Sequence, residues 1–353
     1  MWECPGFVDH HAHVLGTAAG DVPPYDLTDP ASIASFHRSL ETRGLTPMDV
    51  VAPPPAQPDL AGASYRGLRR QPGADPGTRR RPGRAAGAGL VQLTEAGVTD
   101  WSYVEALRRL RDRGDLPLRV RLLMASGIVD PRAMARLGDE LLEVEGVKFY
   151  ADGWLGPRTC AVSEPFADVD DVGVLFLDAV TLARRAEPFA SKGWTIATHA
   201  IGDRAIAAVL DAYEYVYGDD CAAAAPRIEH AQVLTEDLVA RMAHLGVVAC
   251  IQPLFAHTDQ VTARAALGPA RMEWAYRWDL LLQAGVRVIA GSDHPIETLS
   301  PVEGLYRLAD VVGLDQALAL MTDPEAGTTV LTADPHEAEP GDVKVVETRC
   351  SGL

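Results

Sequence analysis

The chain has 353 residues, 47% of them hydrophobic and 23% charged, an ordinary globular balance that leaves room for a large buried core. Lys and Arg total 32 against 49 Asp and Glu, and the formal charge of -17 disfavours nucleic acid and anionic lipid as main partners. No apolar run reaches the ~18 residues of a membrane span, and Met1-Trp2-Glu3-Cys4-Pro5 has neither the basic nor the apolar stretch of a secretory signal. The five cysteines (Cys4, Cys160, Cys221, Cys250, Cys350) are scattered and form no CxxC, which suits a reducing cytoplasm better than a disulfide scaffold or a thiolate zinc site.

In chain order, eight short apolar runs read as strands: Gly6–His13, Leu90–Thr94, Leu118–Ala125, Gly146–Asp152, Trp194–His199, Arg227–Ala231, Val247–Gln252 and Val286–Asp293. Segments with helical periodicity separate most of them: Tyr103–Arg113, Pro131–Glu143, Leu177–Lys192, Asp203–Val216, Thr235–Leu245 and Trp278–Ala284. Strand alternating with helix predicts a parallel sheet with crossover helices. Eight such strands predict an α/β fold closed as a (β/α)8 TIM barrel. Two regions stand apart. Residues 53–88 are rich in Pro, Gly, Ala and Arg and read as a long irregular insertion. The tail from about Asp323 reads as irregular, with one strand at Asp342–Thr348.

Polar residues punctuate these apolar strands. Strand alternation puts His11 and His13 on one face with Phe7 and Asp9, while His10 points the other way. Alone, two histidines on a strand say little. The fourth strand, however, carries Lys148, and others end at His199, at Glu229-His230 and at Ser292-Asp293. An unpaired imidazole or charge in such a place costs several kcal/mol, so their convergence on a shared cation explains them together better than separate packing does.

At this point the sequence resembles the metal-dependent amidohydrolase superfamily. Pro5-Gly6-Phe7-Val8-Asp9-x-His11-x-His13 is similar to its opening signature. Val147-Lys148-Phe149-x-Ala151-Asp152-Gly153, His199-Ala200-Ile201-Gly202-Asp203-Arg204-Ala205, Arg227-Ile228-Glu229-His230-Ala231-Gln232 and Gly291-Ser292-Asp293-x-Pro295 resemble its YtcJ-like branch, which includes N-substituted formamide deformylases. The resemblance implies two divalent ions, with zinc fitting the N/O ligand set. His11 and His13 would hold the first ion and His199 and His230 the second. Lys148, carboxylated by CO2, would bridge them. Asp293 would bind the first ion and handle the proton. The expected activity is hydrolysis of an amide, formamide or cyclic amide C–N bond, other than a peptide bond, by metal-activated hydroxide. A small molecule is the expected partner, and a homodimer could form. A truncated, non-catalytic relative or a metal-dependent binding protein is the alternative.

Other residues have two readings each. Asp152, Trp154 and Arg158 follow the fourth strand in a βα loop and could orient substrate or shape the loop. His257 could reach substrate or sit exposed, and Asp203 reads best as a helix N-cap. Glu229 is expected to face away from His230, in packing or a salt bridge. His294 could support Asp293 from the opposite face. His37, His244 and His336 receive no role. Only four residues precede Pro5-Gly6-Phe7, where family members carry a β-rich segment. The expected division is therefore a barrel over 5–322 and a C-terminal tail, 323–353, as the remnant of a reduced or missing small β domain. Met1 is then not expected to start a complete family domain, and the C-terminal strand is expected to lack its N-terminal partners.

Overall fold

A computed structural model describes residues 1–13, 80–99, 101–130 and 137–352. Eleven strands occur among them: β1 (Trp2–Ala12), β2 (Leu90–Val98), β3 (Arg119–Ala125), β4 (Leu137–Gly138), β5 (Leu142–Tyr150), β6 (Thr195–Ala200), β7 (Arg227–His230), β8 (Val248–Ile251), β9 (Val288–Ala290), β10 (Thr322–Leu331) and β11 (Val345–Cys350). They form one sheet in the order β11-β10-β1-β2-β3-β5-β6-β7-β8-β9, with β4 paired to β5 off this path. From β1 to β9 along that path every neighbouring pair is parallel. Parallel neighbours require crossovers, and the helices Trp101–Asp112, Ala179–Ala190, Asp203–Tyr217 and Glu236–Leu245 supply several. Local chemistry starts them where expected: Asp178 and Thr235 accept hydrogen bonds from the N–H of Thr181 and Leu238 in the first turns.

The ends of the parallel run touch. Asp293 N–H donates to the His11 carbonyl at 2.6 Å and His13 N–H to the His294 carbonyl at 2.6 Å. Ser292 donates to Asp9 through both its N–H and its hydroxyl, at 3.0 and 2.6 Å. Gly291 permits this approach, because a Cβ there would lie 2.4 Å from the His11 nitrogen.

Alternation along the strands separates two faces. Val120, Leu122, Met124, Val147, Phe149 and Ile196 belong to the large apolar core. Between them in sequence, Leu123 and Ala197 join Ala96 in a small separate cluster. Lys148 and His199 continue that second alternation, and both are buried.

Several expectations need correction. The last part of the 53–88 insertion is a helix, Arg80–Gly87, whose Ala85 is fully buried and whose Ala86 carbonyl accepts from the Thr348 hydroxyl. Most of the remaining insertion lies outside the described residues. The helix expected at Pro131–Glu143 is absent from residue 137 onward. There β4 pairs antiparallel with β5, and the Asp139 carboxylate accepts the N–H groups of Leu141 and Leu142 to hold the turn. The tail is not irregular, because β10 spans Thr322–Leu331 and runs across the expected boundary at 322–323. Its Asp323, Pro324 and Glu325 break the apolar pattern, but pairing with β1 on one side and β11 on the other defines the strand. β11 therefore does reach the N-terminal strand through β10, since Trp2 to Phe7 pair antiparallel with Leu331 to Thr322.

Candidate metal centre

Five of the eight parallel strands, or the residues just after them, bring six side chains together. β1 supplies His11 and, one residue past its end, His13; β5, β6 and β7 supply Lys148, His199 and His230; Asp293 follows β9. The Asp293 Oδ1 lies 3.1 Å from His13 Nε2 and 3.4 Å from His11 Nε2. Lys148 Nζ is 3.5 Å from His11 Nε2. Ring centroids are 4.5 Å apart for His199 and His230 and 4.9 Å for His11 and His230. One ligand atom each from His11, His230 and Asp293 falls within 4.8 Å of the others. Gly97, at the end of β2, leaves room here: a Cβ on it would lie 2.7 Å from the Tyr150 hydroxyl and 3.9 Å from Lys148 Cγ.

Two of the six depend on unusual backbone. His230 has φ 78° and Asp293 φ 56°, values that L-residues adopt rarely and that cluster at functional sites. Each sits where a strand ends, so the turn re-aims the side chain relative to the strand's own alternation.

The histidines are held from behind. Glu229 Oε2 meets His11 Nδ1, the Gln252 Oε1 lies 2.8 Å from His230 Nδ1, and the Gly153 carbonyl lies 2.9 Å from His199 Nε2. These oxygens only accept, so each facing nitrogen carries a hydrogen and the opposite ring nitrogen is left as the candidate donor. Three imidazoles each backed by an oxygen, a carboxylate and a buried lysine are a donor set that fits divalent cations. His13 Nδ1 is buried without a partner among the described residues.

Electrostatics agree with a cation site. Burial opposes ionisation of Asp293, yet His11 and His13 hold its carboxyl well below the usual carboxylate range. Burial pushes the Lys148 ammonium down, against the pull of Glu229 and Asp293. Burial, with His199 and His11 adding to it, pushes His230 far down and keeps it neutral.

The neighbouring residues have other attachments. The Asp152 carboxylate accepts from the backbone N–H of Ala161, Ile201 and Gly202 at 2.9, 3.0 and 2.9 Å, so it joins the loops after β5 and β6. The buried Arg158 guanidinium bonds Asp168 and the Gly156 carbonyl. Trp154 is half-buried and packs against the apolar core. His257 is exposed on the short helix Phe255–Thr258. Asp203 is not a cap: Gly202 holds the N-cap position, and the Asp203 carboxylate accepts from the Ser163 N–H and hydroxyl. His294 directs Nδ1 to the Glu297 carbonyl, 3.1 Å away. His37 lies outside the described residues.

Sequence reasoning missed the partners of the histidines. Glu229 is the salt-bridge residue expected, but its partner besides Arg227 is His11. The available signal was Arg227 two residues before Glu229 on one strand face.

The sequence model of the amidohydrolase family matches residues 64–326. Over 280 residues the chain is 29% identical to the putative amidohydrolase YtcJ of Bacillus subtilis, covering 69% of this chain and 53% of that protein. Over 123 residues it is 36% identical to the N-substituted formamide deformylase of Arthrobacter pascens, covering 32% of this chain and 21% of that protein. The chain thus spans about half the length of the first of these relatives, and less of the second. Among solved structures, an uncharacterized metal-dependent hydrolase from Pyrococcus horikoshii superposes with a TM-score of 0.70 at 20% identity, over 97% of this chain and 88% of that one. That likeness establishes the fold alone. The family match covers well over half of the chain and includes four of the five strands that carry the cluster, so the chain belongs to the metal-dependent amidohydrolase superfamily, in its YtcJ-like branch.

Proposed function

We propose that the chain is a metal-dependent hydrolase cleaving a C–N bond of an amide, formamide or cyclic amide. The observation that carries this reading is the convergence of His11, His13, Lys148, His199, His230 and Asp293 at one end of the parallel strands. In this reading the eight parallel strands close as a (β/α)8 barrel over 5–322, and residues 323–353 are the remnant of a small β domain. His11 and His13 would hold one ion, His199 and His230 a second, and a carboxylated Lys148 both. The N/O donor set favours zinc. Bound there, two dications would supply acidity to a water molecule and polarise the scissile carbonyl.

The chain's own residues do the rest. Asp293, ionised at neutral pH, accepts the proton of the attacking water. It then returns that proton to the leaving nitrogen, because an amide anion is a very poor leaving group. Glu229, Gln252 and the Gly153 carbonyl keep the histidine rings in place. The polar atoms of Asp152 and Arg158 are taken by protein partners, so these residues shape the rim rather than touch substrate.

Free, buried thiols suit a cytoplasmic setting, and none of the helices among the described residues is long and apolar enough to cross a membrane.

The test is turnover of a formanilide-type amide panel by wild type and Lys148→Ala. Lys148→Ala should lose activity and regain part of it with short carboxylates that replace the carbamate. Full activity of Lys148→Ala without additive contradicts the bridging role.

A further inference from the structure

Glu229 is fully buried on β7, and its nearest ionisable neighbours lie on two different strands. Arg227, on the same strand face, presents Nε and Nη2 to one oxygen only, Oε1, each at 2.8 Å. A simple arginine–carboxylate pair would use both oxygens in a fork. Here the second oxygen, Oε2, is left for His11 Nδ1. Along the sheet β2, β3, β5 and β6 stand between β1 and β7, so this contact does not join adjacent strands but links two distant strands on the face that carries the site. Arg227 is itself fixed, since its Nη2 donates to the His10 carbonyl at 2.7 Å and its Nη1 lies 3.6 Å from Glu145. One guanidinium therefore holds both the carboxylate and the backbone next to His11.

We infer that Glu229, clamped by Arg227, is a positioning residue that fixes the His11 ring with Nδ1–H toward the protein and the Nε2 lone pair toward the metal site. The inference rests on the reading of His11 as a metal ligand. It also decides which end of His11 faces the ion. Cys250 lies near Glu229 and His11, their ligand atoms within 4.8 Å of one another. That side is not a competing site, because both oxygens of Glu229 are occupied by N–H donors and burial pushes the Cys250 thiol up. The other end of the ring faces Asp293, His13 and Lys148.

Glu229→Gln tests the relay with almost no change of shape. A carboxamide has one oxygen and one NH2 group. Arg227 demands the oxygen, so the NH2 group would face His11 Nδ1. That nitrogen must then accept, which moves the ring hydrogen to Nε2 and points it at the ion site. Histidine-labelled protein, read by long-range 1H–15N correlation in the metal-free state, reports this directly, with His11 assigned by its loss in His11→Asn. Wild type should show the Nδ1–H form and Glu229→Gln the Nε2–H form. Chelator competition should show zinc bound 10–100-fold more weakly by the variant, the usual effect of removing a ligand's supporting carboxylate. A wild-type His11 in the Nε2–H form overturns the inference, and that measurement needs no variant to fold. So does a Glu229→Gln protein with the wild-type zinc dissociation constant. If wild type binds no divalent ion, the metal reading fails instead, and the two failures are told apart.

Discussion

His11 and His13 stand two residues apart on one strand face, yet their surroundings differ. The His11 ring is buried, with Nδ1 on Glu229, its backbone N–H on Asp9 Oδ1 at 3.0 Å, and its carbonyl accepting from Asp293. The His13 side chain is 14% exposed, its backbone N–H donates to the His294 carbonyl, and among the described residues its ring is engaged only through Nε2, at 3.1 Å from Asp293. The His11 ring is thus held from behind and in front, and the His13 ring, among the described residues, from the front alone. The comparison teaches that two histidines set up by one strand's alternation need not be equally preorganised. The carboxylate that distinguishes the two comes from β7, five strands away along the sheet path.

Asp293 is common to both histidines, so its loss has the largest expected effect. Asp293→Asn keeps an oxygen but cannot shuttle protons. At saturating zinc, with occupancy measured on the same sample, kcat should fall ~10²–10⁴-fold. Near-normal turnover at full occupancy would remove Asp293 as the proton carrier and leave it a ligand only.

The comparison itself is sharpened by stability without metal. His11→Ala leaves an oxygen of buried Glu229 without its donor and should cost about 1–3 kcal/mol in urea unfolding of the metal-free protein. His13→Ala also takes a partner from buried Asp293, but among the described residues it removes none on its Nδ1 side, so it should cost less than His11→Ala. Equal losses would break the distinction.

A smaller effect contrasts Asp293 with Asp259. Asp259 is also buried, but its recorded hydrogen-bond partner is the neutral Tyr276 hydroxyl at 3.0 Å. Burial raises its pKa to about 7, the Tyr276 bond opposing this and Glu297 adding to it. A raised folded pKa means that the contribution to stability is fully present below the unfolded value near 4 and is lost as pH rises to about 7. Asp259→Asn should therefore gain on wild type over that window and keep a constant margin above it. A margin independent of pH would contradict the assignment.

Much of the candidate site was legible because each proposed ligand interrupts an apolar run. Lys148 lies between Val147 and Phe149, and His199 is the penultimate residue of Thr195–Ala200; no packing argument accounts for them. Glu229 was harder. Alternation alone puts Glu229 and His230 on opposite faces, but the positive φ at His230 turns its ring back, so both serve the site. Asp203 looked like a cap because Gly-Asp opens a helix, whereas its carboxylate is claimed by Ser163, 40 residues away in sequence. β10 was hidden for another reason. Its strand character comes from backbone pairing with β1 and β11, which leaves no alternation to read in Thr322–Leu331. The helix Arg80–Gly87 was hidden by its Pro and Gly, and its buried Pro82 and Ala85, with Ala86 against the core, make the packed face.

The central claim is that these six side chains form one divalent metal centre. Elemental analysis of purified wild type, His11→Ala and His230→Ala tests it most directly. The claim predicts about two ions per wild-type chain and clearly fewer in both variants, because ligands from several strands share the load. Wild-type occupancy in both variants, or a wild type that takes up no divalent ion after incubation with zinc, would contradict it.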